Sequence, residues 1–333
     1  MTISNKLADS HKTVAVIGGG PAGMSCALWL KQLGLFPILI EKDQKLGGLQ
    51  QASHFQNVWY LGLSGHTGYE LADIFQQHMV AENLTILFAS QLKGIIKAGE
   101  YFKIVTKSDE FTARSMVIAT GQRIKGYEDI KSVPGSHELL SSQRVCFNPG
   151  ATPLLIDKLD GQVVGIVGGG DNGLVTAIRL ANTAQHIHLF VRSQLRGFAL
   201  NQQEIFKLIE AGKVTLHQLA TIDQFEVSRE NISITFQDEK QQPNQVILDY
   251  LCFRIGFAPN AKDIVQLLEQ GKIGALELNQ GGYIATDQFL RTSIPNIYAA
   301  GDVTNPRDPC VATAVAQGAI AARSLDEDLK NSN

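Results

Sequence analysis

Two glycine-rich turns with the same spacing are the features of this sequence best suited to bind a nucleotide. Residues 18–23 and residues 168–173 both follow the pattern G-x-G-x-x-G. In that pattern the first glycine permits a tight turn, the second lets the backbone approach a pyrophosphate, and the third lets a helix pack closely on a strand. The two turns therefore predict two dinucleotide-binding sites in one chain.

Each turn stands between a buried strand and a helix, as a dinucleotide site requires. Apolar runs at 14–17 and 163–167 are typical of buried parallel strands, and helical periodicity follows both turns. The apolar run at 37–40 and the segment 186–192 predict the next strand of each unit. The N-terminus of each helix would direct N–H groups and the positive end of its dipole towards a pyrophosphate. We therefore predict an α/β fold with two dinucleotide-binding, Rossmann-like domains.

The residue that follows the second strand differs between the two units, and this difference predicts two different nucleotides. Glu41 follows the second strand after the first glycine turn, a position at which a carboxylate accepts hydrogen bonds from ribose hydroxyls. Arg192 holds the comparable position in the second unit, and Arg196 follows it. An arginine there suits the 2′-phosphate of NADPH. The alternative is that both arginines are ordinary solvated charges, in which case NADH would serve as well.

The composition limits the partners and the environment of the chain. Its 333 residues include 29 basic and 32 acidic side chains, a balance that gives no indication of a nucleic-acid partner. No apolar run approaches the ~20 residues that cross a bilayer, and the polar residues 1–12 do not resemble a secretory signal. The four cysteines are scattered without a C-x-x-C motif, which argues against a disulfide scaffold or a zinc site and fits a reducing cytoplasm.

The segments outside the two units carry weaker signals. Residues 122–160 are predicted to be rich in loops, and residues 214–253 resemble a small sheet with polar hairpins. A polar and aromatic stretch at 50–63 contains Trp59 and Tyr60. These two aromatic side chains could lie beside a bound cofactor, or they could belong to the core or to an interface between subunits.

In their order along the chain, the motifs resemble those of the low-molecular-weight thioredoxin reductases, a family of FAD- and pyridine-nucleotide-dependent oxidoreductases. Besides the two glycine turns, the resemblance rests on Gly47-Gly48, Ala119-Thr120-Gly121, Gly256 with Pro259-Asn260, and Ala300-Gly301-Asp302. It covers nearly the whole chain. It implies a discontinuous FAD-binding domain at residues 1–123 and 256–333, an NAD(P)H-binding domain at residues 124–255 inserted into it, and a homodimer.

The resemblance also implies which residues bind each nucleotide. By the pattern of the family, Glu41 binds the adenosine ribose of FAD, Asp302 holds its ribityl chain, and N–H groups at the start of the last helix face the flavin. The expected FAD-binding residues are Gly18, Gly20, Pro21, Ala22, Gly23, Glu41, Lys42, Gly47, Gly48, Leu49, Asn57, Thr120, Gly121, Gly301, Asp302, Val311 and Ala312. The expected NADPH-binding residues are Gly168, Gly170, Asp171, Asn172, Gly173, Arg192 and Arg196.

One departure from the family concerns its redox-active dithiol. Thioredoxin reductases carry a C-x-x-C pair just before the second glycine turn, but residues 146–150 of this chain read Cys-Phe-Asn-Pro-Gly. Pro149 therefore stands where the second cysteine is expected. A disulfide needs two Cα atoms about 5.5 Å apart, and the sequence indicates no partner for Cys146. We expect Cys146 to be a buried, inert cysteine, with a lone reactive thiol as the alternative.

The family includes a branch without the dithiol, the thioredoxin-reductase-like ferredoxin/flavodoxin–NADP reductases, which pass electrons from NADPH through FAD to a small electron-carrier protein. We expect the same activity here, in the cytoplasm and without a redox-active side chain. One alternative is a reductase of small molecules such as quinones, free flavins, oxygen or low-molecular-weight disulfides. The other is a flavin or nucleotide sensor without catalytic activity.

Overall fold

The computed structural model describes residues 10–331, which form two compact units. The first unit consists of the described residues up to Gln51, of Gln56–Arg123, and of those from Ala258 onward. The second unit consists of Ala52–Phe55 and Ile124–Phe257. Most of the polar N-terminal stretch, for which we predict no secretory signal, lies outside the described residues.

The first unit is built on a parallel sheet. Its strands are β1 (Thr13–Ile17), β2 (Phe36–Ile40), β3 (Thr85–Leu87), β4 (Leu92–Ala98), β5 (Tyr101–Thr106), β6 (Glu110–Ala113), β7 (Ser115–Ile118) and β18 (Ile297–Ala299). Five of them pair in parallel in the order β18-β7-β1-β2-β3, and β4-β5-β6 form an antiparallel sheet. Every residue of β1 is buried, as expected of a central strand covered on both faces.

The second unit repeats this plan. Its strands are β9 (Val145–Cys146), β10 (Val163–Val167), β11 (His186–Val191), β12 (Val214–Gln218), β13 (Thr221–Val227), β14 (Ile232–Gln237), β15 (Pro243–Leu248) and β16 (Tyr250–Phe253). The parallel order is β12-β11-β10-β16-β9, and β13-β14-β15 are antiparallel. Two short strands, β8 (Gln122–Ile124) and β17 (Phe257–Pro259), occur where the chain passes from one unit to the other.

Helices connect the strands in both units. They are α1 (Pro21–Gln32), α2 (Gly68–Ala81), α3 (Ser136–Ser141), α4 (Thr152–Leu155), α5 (Asp171–Leu180), α6 (Ala199–Glu210), α7 (Lys262–Gln270) and α8 (Val311–Asn331). In the first unit α1 and α8 pack so closely that a Cβ on Gly318 would collide with the carbonyl oxygen of Ala22. Between residues 10 and 331, no helix is long and apolar enough to cross a membrane.

The predicted α/β fold with two Rossmann-like units is confirmed, but two segments differ from expectation. Within residues 214–253 only β13, β14 and β15 form the predicted small sheet, whereas β12 and β16 join the parallel sheet. Residues 122–160 contain α3, β9 and α4 in addition to loops. A strand of two residues such as β9 shows no periodicity in a sequence, and only its pairing with β16 defines it.

Two histidines on neighbouring strands of the second unit share a hydrogen bond in a mostly aromatic environment. His188 Nδ1 lies 2.9 Å from His217 Nε2, and the ring of His217 stacks on that of Phe190 with 4.7 Å between centroids. Burial, together with a smaller effect of neighbouring histidines, lowers the pKa of His188 and of His217 to about 4. Both imidazoles are therefore neutral in the folded protein at neutral pH.

We expect acid to destabilise this unit. A histidine in an unfolded chain has a pKa of about 6.5, so between about pH 6.5 and about pH 4 the unfolded state binds more protons and the free energy of unfolding falls as the pH falls. Thermal midpoints followed by circular dichroism should drop over this range, and His217→Phe should make the drop shallower. The exposed His137 provides the control: equal flattening in His137→Gln would contradict the role of the partly buried pair His188 and His217.

Candidate nucleotide-binding sites

The first glycine turn has the backbone geometry of a dinucleotide-binding turn. Gly18 follows β1 with φ +108°, a conformation that L side chains rarely adopt, and a Cβ there would collide with the carbonyl group of Ala119. A Cβ on Gly23 would collide with the carbonyl oxygen of Gly18, whereas no atom lies within 4 Å of a Cβ built on Gly20. Gly20 therefore leaves open space in front of α1, and the other two glycines let helix and strand approach each other.

Glu41 follows β2, is 6% exposed and fixes the glycine turn. Its Oε2 accepts a hydrogen bond from the N–H of Gly19 at 2.7 Å, and its Oε1 accepts one from the N–H of Asp43 at 2.9 Å. Burial raises the pKa of the Glu41 carboxyl, while the two backbone hydrogen bonds act in the opposite direction. Each oxygen keeps further acceptor capacity, so Glu41 can also accept ribose hydroxyls. The adjacent Lys42 side chain is exposed.

The loop after β2 lies against the same glycine turn. The N–H of Gly47 donates to the carbonyl oxygen of Gly19 at 2.8 Å, and a Cβ built on Gly48 would lie 3.5 Å from the Cα of Gly20. The side chain of Leu49 is partly buried. The first glycine turn, Glu41 and the loop at 47–49, all predicted to bind FAD, are therefore neighbours in space.

The turn after β7 is held by one residue of the chain's last third. Thr120 Oγ1 donates to the carbonyl oxygen of Asn260 at 2.8 Å, and Asn260 Nδ2 donates to the carbonyl oxygen of Thr120 at 2.9 Å. The N–H of Asn260 donates to the carbonyl oxygen of Gly121 at 3.0 Å. This reciprocal bonding fixes the predicted FAD-binding residues 120 and 121 at the end of their strand.

Asp302 follows β18, and one of its oxygens has no hydrogen-bond partner within residues 10–331. Its Oδ2 accepts from Gln122 Nε2 at 2.9 Å, and Gln122 Oε1 accepts from the Tyr283 hydroxyl at 3.4 Å. Its Oδ1 is the unpartnered oxygen and is buried. Burial raises the pKa of Asp302, and the Gln122 hydrogen bond partly offsets this. Sequence reasoning missed Gln122 and Tyr283, since both are remote from Asp302 in the sequence.

The turn after β18 contacts both α8 and the first turn of α1. The N–H of Gly301 donates to Gln317 Oε1 at 2.7 Å, and a Cβ built on Gly301 would lie 2.7 Å from the Cβ of Ala22. Val311, the first residue of α8, is partly buried, and Ala312 is exposed. The predicted FAD-binding residues at both ends of the chain are thus joined within one unit.

These features fit a bound FAD at the carboxyl ends of the parallel strands, where ligands of open α/β sheets bind. β1, β2, β7 and β18 lead directly into the glycine turn, Glu41, residues 119–121 and the Asp302 turn. The open space at Gly20 suits a pyrophosphate, and the buried Oδ1 of Asp302 suits a ribityl hydroxyl. Pro21 occupies the first position of α1, where its missing N–H removes no hydrogen bond.

Asn57 uses its side chain to organise its own loop. Its Oδ1 accepts from the N–H groups of Trp59 and Tyr60 at 3.2 and 3.1 Å, and its Nδ2 donates to the carbonyl oxygens of Tyr60 and Leu63, both at 3.2 Å. These four bonds use the capacity of the amide, so this conformation does not support a direct hydrogen bond from Asn57 to FAD. Trp59 is 77% exposed, whereas the ring of Tyr60 packs edge-on against Phe75.

The second glycine turn repeats the geometry of the first. Gly168 follows β10 with φ +138°, and a Cβ there would collide with the carbonyl oxygen of Arg254. A Cβ on Gly173 would collide with the carbonyl oxygen of Gly168, and no atom lies within 4 Å of a Cβ built on Gly170. This turn therefore offers the same open space in front of α5 that the first offers in front of α1.

Two exposed arginines lie on the loop after β11. The N–H of Arg196 donates to the carbonyl oxygen of Gly169 at 2.8 Å, which holds the loop against the glycine turn. The side chains of Arg192 and Arg196 are exposed, and across residues 10–331 neither guanidinium forms a hydrogen bond or an ion pair. Two such cations beside the turn fit the 2′-phosphate of NADPH.

The first residues of α5 form hydrogen bonds with other residues of the second unit. Asp171 Oδ1 accepts from the N–H of Phe198 at 2.6 Å and from Asn201 Nδ2 at 2.9 Å. The carbonyl oxygen of Asn172 accepts the Thr176 hydroxyl at 2.7 Å. Asp171 therefore anchors the start of α6, a role that the sequence did not indicate, and its contact with NADPH stays a prediction.

Cys146 is partly exposed rather than buried as expected, and a buried cation lies beside it. Arg254 is 5% exposed, and its Nη2 lies 4.0 Å from Cys146 Sγ. Its Nη1 donates to the carbonyl oxygen of Cys146 at 3.0 Å, and its Nε donates to Thr176 Oγ1 at 2.9 Å. Sequence reasoning missed Arg254, because a single arginine at the end of a strand carries no distinguishing signal.

We expect Glu41→Ala to weaken FAD retention. The substitution removes the acceptor for the ribose hydroxyls and leaves the N–H groups of Gly19 and Asp43 without their partners, at about 1–3 kcal/mol for each group that stays buried. FAD content after purification and affinity on reconstitution measure the effect. Glu41→Gln keeps one acceptor oxygen and should retain more FAD, while an alanine variant as yellow as the unmodified protein would contradict this role.

Comparison with known proteins assigns the chain to a family. The family profile described as pyridine nucleotide-disulphide oxidoreductase matches residues 12–318. A thioredoxin reductase of Mycoplasma genitalium is 25% identical over 320 residues, covering 95% of this chain and 95% of that protein. One component of the alkyl hydroperoxide reductase of Staphylococcus epidermidis is 25% identical over 323 residues, which are 96% of this chain but only 59% of that protein's length.

Solved structures show the same fold. The crystal structure of Lactococcus lactis thioredoxin reductase superposes with a TM-score of 0.79 at 24% identity, covering 96% of this chain and 99% of that one. The thioredoxin reductase of T. acidophilum superposes with a TM-score of 0.77 at 24% identity, covering 95% of this chain and 99% of that one. At this level of identity the likeness concerns the fold alone.

Proposed function

The chain belongs to the pyridine nucleotide-disulphide oxidoreductase family, and from this premise we propose that it passes electrons from NADPH through FAD to a small electron-carrier protein of the ferredoxin or flavodoxin class. It is an NAD(P)H-dependent flavoprotein oxidoreductase, and FAD and NADPH are the cofactors of its thioredoxin-reductase-like relatives. The nature of the acceptor, the residues assigned to each nucleotide and the roles of the two units are parts of the proposal.

The observation that carries the choice of acceptor is the backbone at position 149. Pro149 is the first residue of a one-turn 3₁₀ helix, Pro149–Ala151. Asn148 precedes it, with Oδ1 accepting from the N–H of Gly150 at 2.9 Å and Nδ2 donating to the carbonyl oxygen of Ala52 at 2.8 Å. A capped turn thus occupies the place of the second thiol in the family's C-x-x-C pair, which supports a route that does not use that dithiol.

The chain's own residues have defined tasks in this proposal. Bound FAD supplies a group that takes up a hydride and gives out single electrons. Gly20 and Gly170 would admit the two pyrophosphates, and Glu41 would orient the adenosine ribose of FAD. Asp302 would hold the ribityl chain through Oδ1, and the N–H groups at the start of α8 would favour negative charge on the flavin.

We also propose that the protein is a cytoplasmic homodimer. Its loop at residues 58–61 exposes three large apolar side chains: Val58 at 77%, Trp59 at 77% and Leu61 at 98%. Such a patch supports contact with another protein, either a second copy or the carrier. Light scattering on the purified protein tests the dimer, and a monomer at micromolar concentration would contradict it.

We expect Cys146→Ser to leave NADPH-driven reduction of ferricyanide and of a ferredoxin within about twofold of the unmodified rate, because the proposed route uses no thiol. Anaerobic stopped-flow measurements with ferredoxin, flavodoxin, quinone, free flavin and thioredoxin as acceptors provide the test. Rapid thioredoxin reduction that disappears in Cys146→Ser would contradict the proposal and restore a thiol mechanism.

The same measurements, extended to low-molecular-weight disulfides and, in aerobic buffer, to oxygen, separate the two alternatives. Faster turnover with quinones, free flavins, oxygen or low-molecular-weight disulfides than with any carrier protein would favour a small-molecule reductase. A flavin that is not bleached by NADPH on a catalytic timescale would favour a sensor.

A further inference from the structure

Cys146 and Cys252 are register partners on neighbouring strands of the second unit. In the parallel pairing of β9 with β16, Leu251 is opposite Val145 and Cys252 is opposite Cys146. Neighbouring strands lie about 4.8 Å apart, and disulfides join Cα atoms that are about 4.4–6.8 Å apart. The sheet therefore brings two cysteines that are remote in the sequence to a separation at which a disulfide can form.

Both thiols lie on the same face of the sheet. Cys252 belongs to the apolar cluster that contains Leu174 of α5, and Cys146 packs against that cluster. The following residues, Phe147 and Phe253, belong to the opposite face, where their rings stack with 5.0 Å between centroids. Because side chains alternate between faces along a strand, the side chains of both cysteines lie on the face opposite to the two phenylalanines.

The two thiols differ in access and in surroundings. Cys252 is fully buried, and burial raises its pKa to about 12. Cys146 is partly exposed, and its Sγ lies 4.0 Å from Nη2 of the buried Arg254. The hydrogen bonds of that guanidinium go to neutral groups, namely two backbone carbonyls, two threonine hydroxyls and this sulfur. The Cys146 thiol itself donates to the carbonyl oxygen of Asn148 at 3.4 Å.

We propose that Cys146 and Cys252 form a hydroperoxide-sensitive thiol pair, in which Cys146 is oxidised first and Cys252 converts the product into a disulfide. A hydroperoxide can reach the partly exposed Cys146, which suits the attacking role, and the fully buried Cys252 opposite it suits the resolving role. The proposed transfer of electrons to a carrier does not use this pair, so the two proposals stand or fall separately.

The reaction consumes one molecule of hydrogen peroxide and both thiols. The Cys146 thiolate attacks one peroxide oxygen, the O–O bond breaks, and the products are a sulfenic acid and hydroxide, which takes up the thiol proton to become water. The Cys252 thiol then attacks the Cys146 sulfur, the S–O bond breaks, and a second water leaves as the S–S bond forms. The two electrons lost by the sulfurs reduce the peroxide.

The test uses the purified FAD-containing protein. After treatment with hydrogen peroxide, the protein is unfolded in the presence of an alkylating reagent, and its peptides are mapped without reduction. We expect one linked pair of peptides, joined through Cys146 and Cys252 and separated by dithiothreitol. The other two cysteines, Cys26 and Cys310, should be recovered alkylated.

Three variants define the order of events. Cys252→Ser should leave Cys146 as a sulfenic acid that dimedone traps in at least about tenfold higher yield than in the unmodified protein. Cys146→Ser should leave Cys252 reduced after the same treatment. Cys310→Ser is the matched control, because Cys310 is exposed and lies outside the pair, and this variant should give the same linked peptides.

Three outcomes would overturn the proposal. They are a disulfide from Cys146 to Cys310, a disulfide between two chains, and irreversible oxidation of Cys146 with Cys252 still reduced. The peptide map of the unmodified protein requires no substitution, so it decides the question even where Cys252→Ser does not fold, which circular dichroism would reveal.

Discussion

Gly20→Ala and Gly170→Ala are expected to have reciprocal effects, the first weakening FAD binding and the second weakening NADPH binding. Neither glycine has a positive φ, with −73° at Gly20 and −91° at Gly170, and no atom lies within 4 Å of a Cβ built on either residue. The folded chain therefore accommodates alanine at both positions. The added methyl group fills the space through which a pyrophosphate reaches the backbone.

We expect each nucleotide affinity to fall at least about tenfold, or ~1.4 kcal/mol, with the other nucleotide and the thermal midpoint of the nucleotide-free protein almost unchanged. FAD content, FAD titration and NADPH titration give the measurements, and each variant is the control for the other. Undiminished FAD binding by Gly20→Ala would sink the assignment of the first turn. Gly23→Ala makes a useful contrast, because its Cβ would collide with the carbonyl oxygen of Gly18 and should prevent folding.

The second large effect is expected at Arg192. The unmodified protein should prefer NADPH to NADH, and Arg192→Ala should erase most of that preference while leaving FAD binding intact. A charge-assisted hydrogen bond to a phosphate oxygen contributes roughly 1.5–3 kcal/mol, which corresponds to about ten- to a hundredfold in discrimination. The ratio of kcat/KM for the two nucleotides, measured with ferricyanide as acceptor, gives the result.

Two further arginine variants make this experiment specific. Arg196→Ala should reduce the preference by a smaller factor, since Arg196 also lies beside the glycine turn. Arg229→Ala removes an exposed arginine of the same unit, in the turn between β13 and β14, and should change nothing. Equal kcat/KM for NADPH and NADH in the unmodified protein would refute the role of Arg192, as would an equal effect of Arg229→Ala.

The sequence by itself determined the features that depend on local structure. A buried strand, a turn with three glycines and an amphipathic helix are encoded within about thirty neighbouring residues. The positions of Gly18, Gly23, Gly168 and Gly173 were therefore predictable together with their physical reasons. The α/β class followed, because two such units each require a parallel sheet.

Only the tertiary structure decided the features that depend on strand order and on contacts between remote segments. β12 and β16 resemble members of a small sheet in sequence, and their places in the parallel sheet follow from pairing with β11 and β10. The same pairing sets Cys252 opposite Cys146, although the sequence offered Cys146 no partner. Register between parallel strands is set by packing over the whole sheet, so one sequence read along its length does not contain it.

The polar partners of the candidate sites show the same division. The sequence singled out Asp302 and Asn57 by resemblance, but not the groups that bind them. Gln122 donates a hydrogen bond to one oxygen of Asp302 and leaves the other oxygen for a ligand. The side-chain amide of Asn57, in contrast, forms its hydrogen bonds within the loop at 57–63. Residue type and spacing reveal which side chains can form hydrogen bonds, but only the folded chain determines which of those bonds are already made.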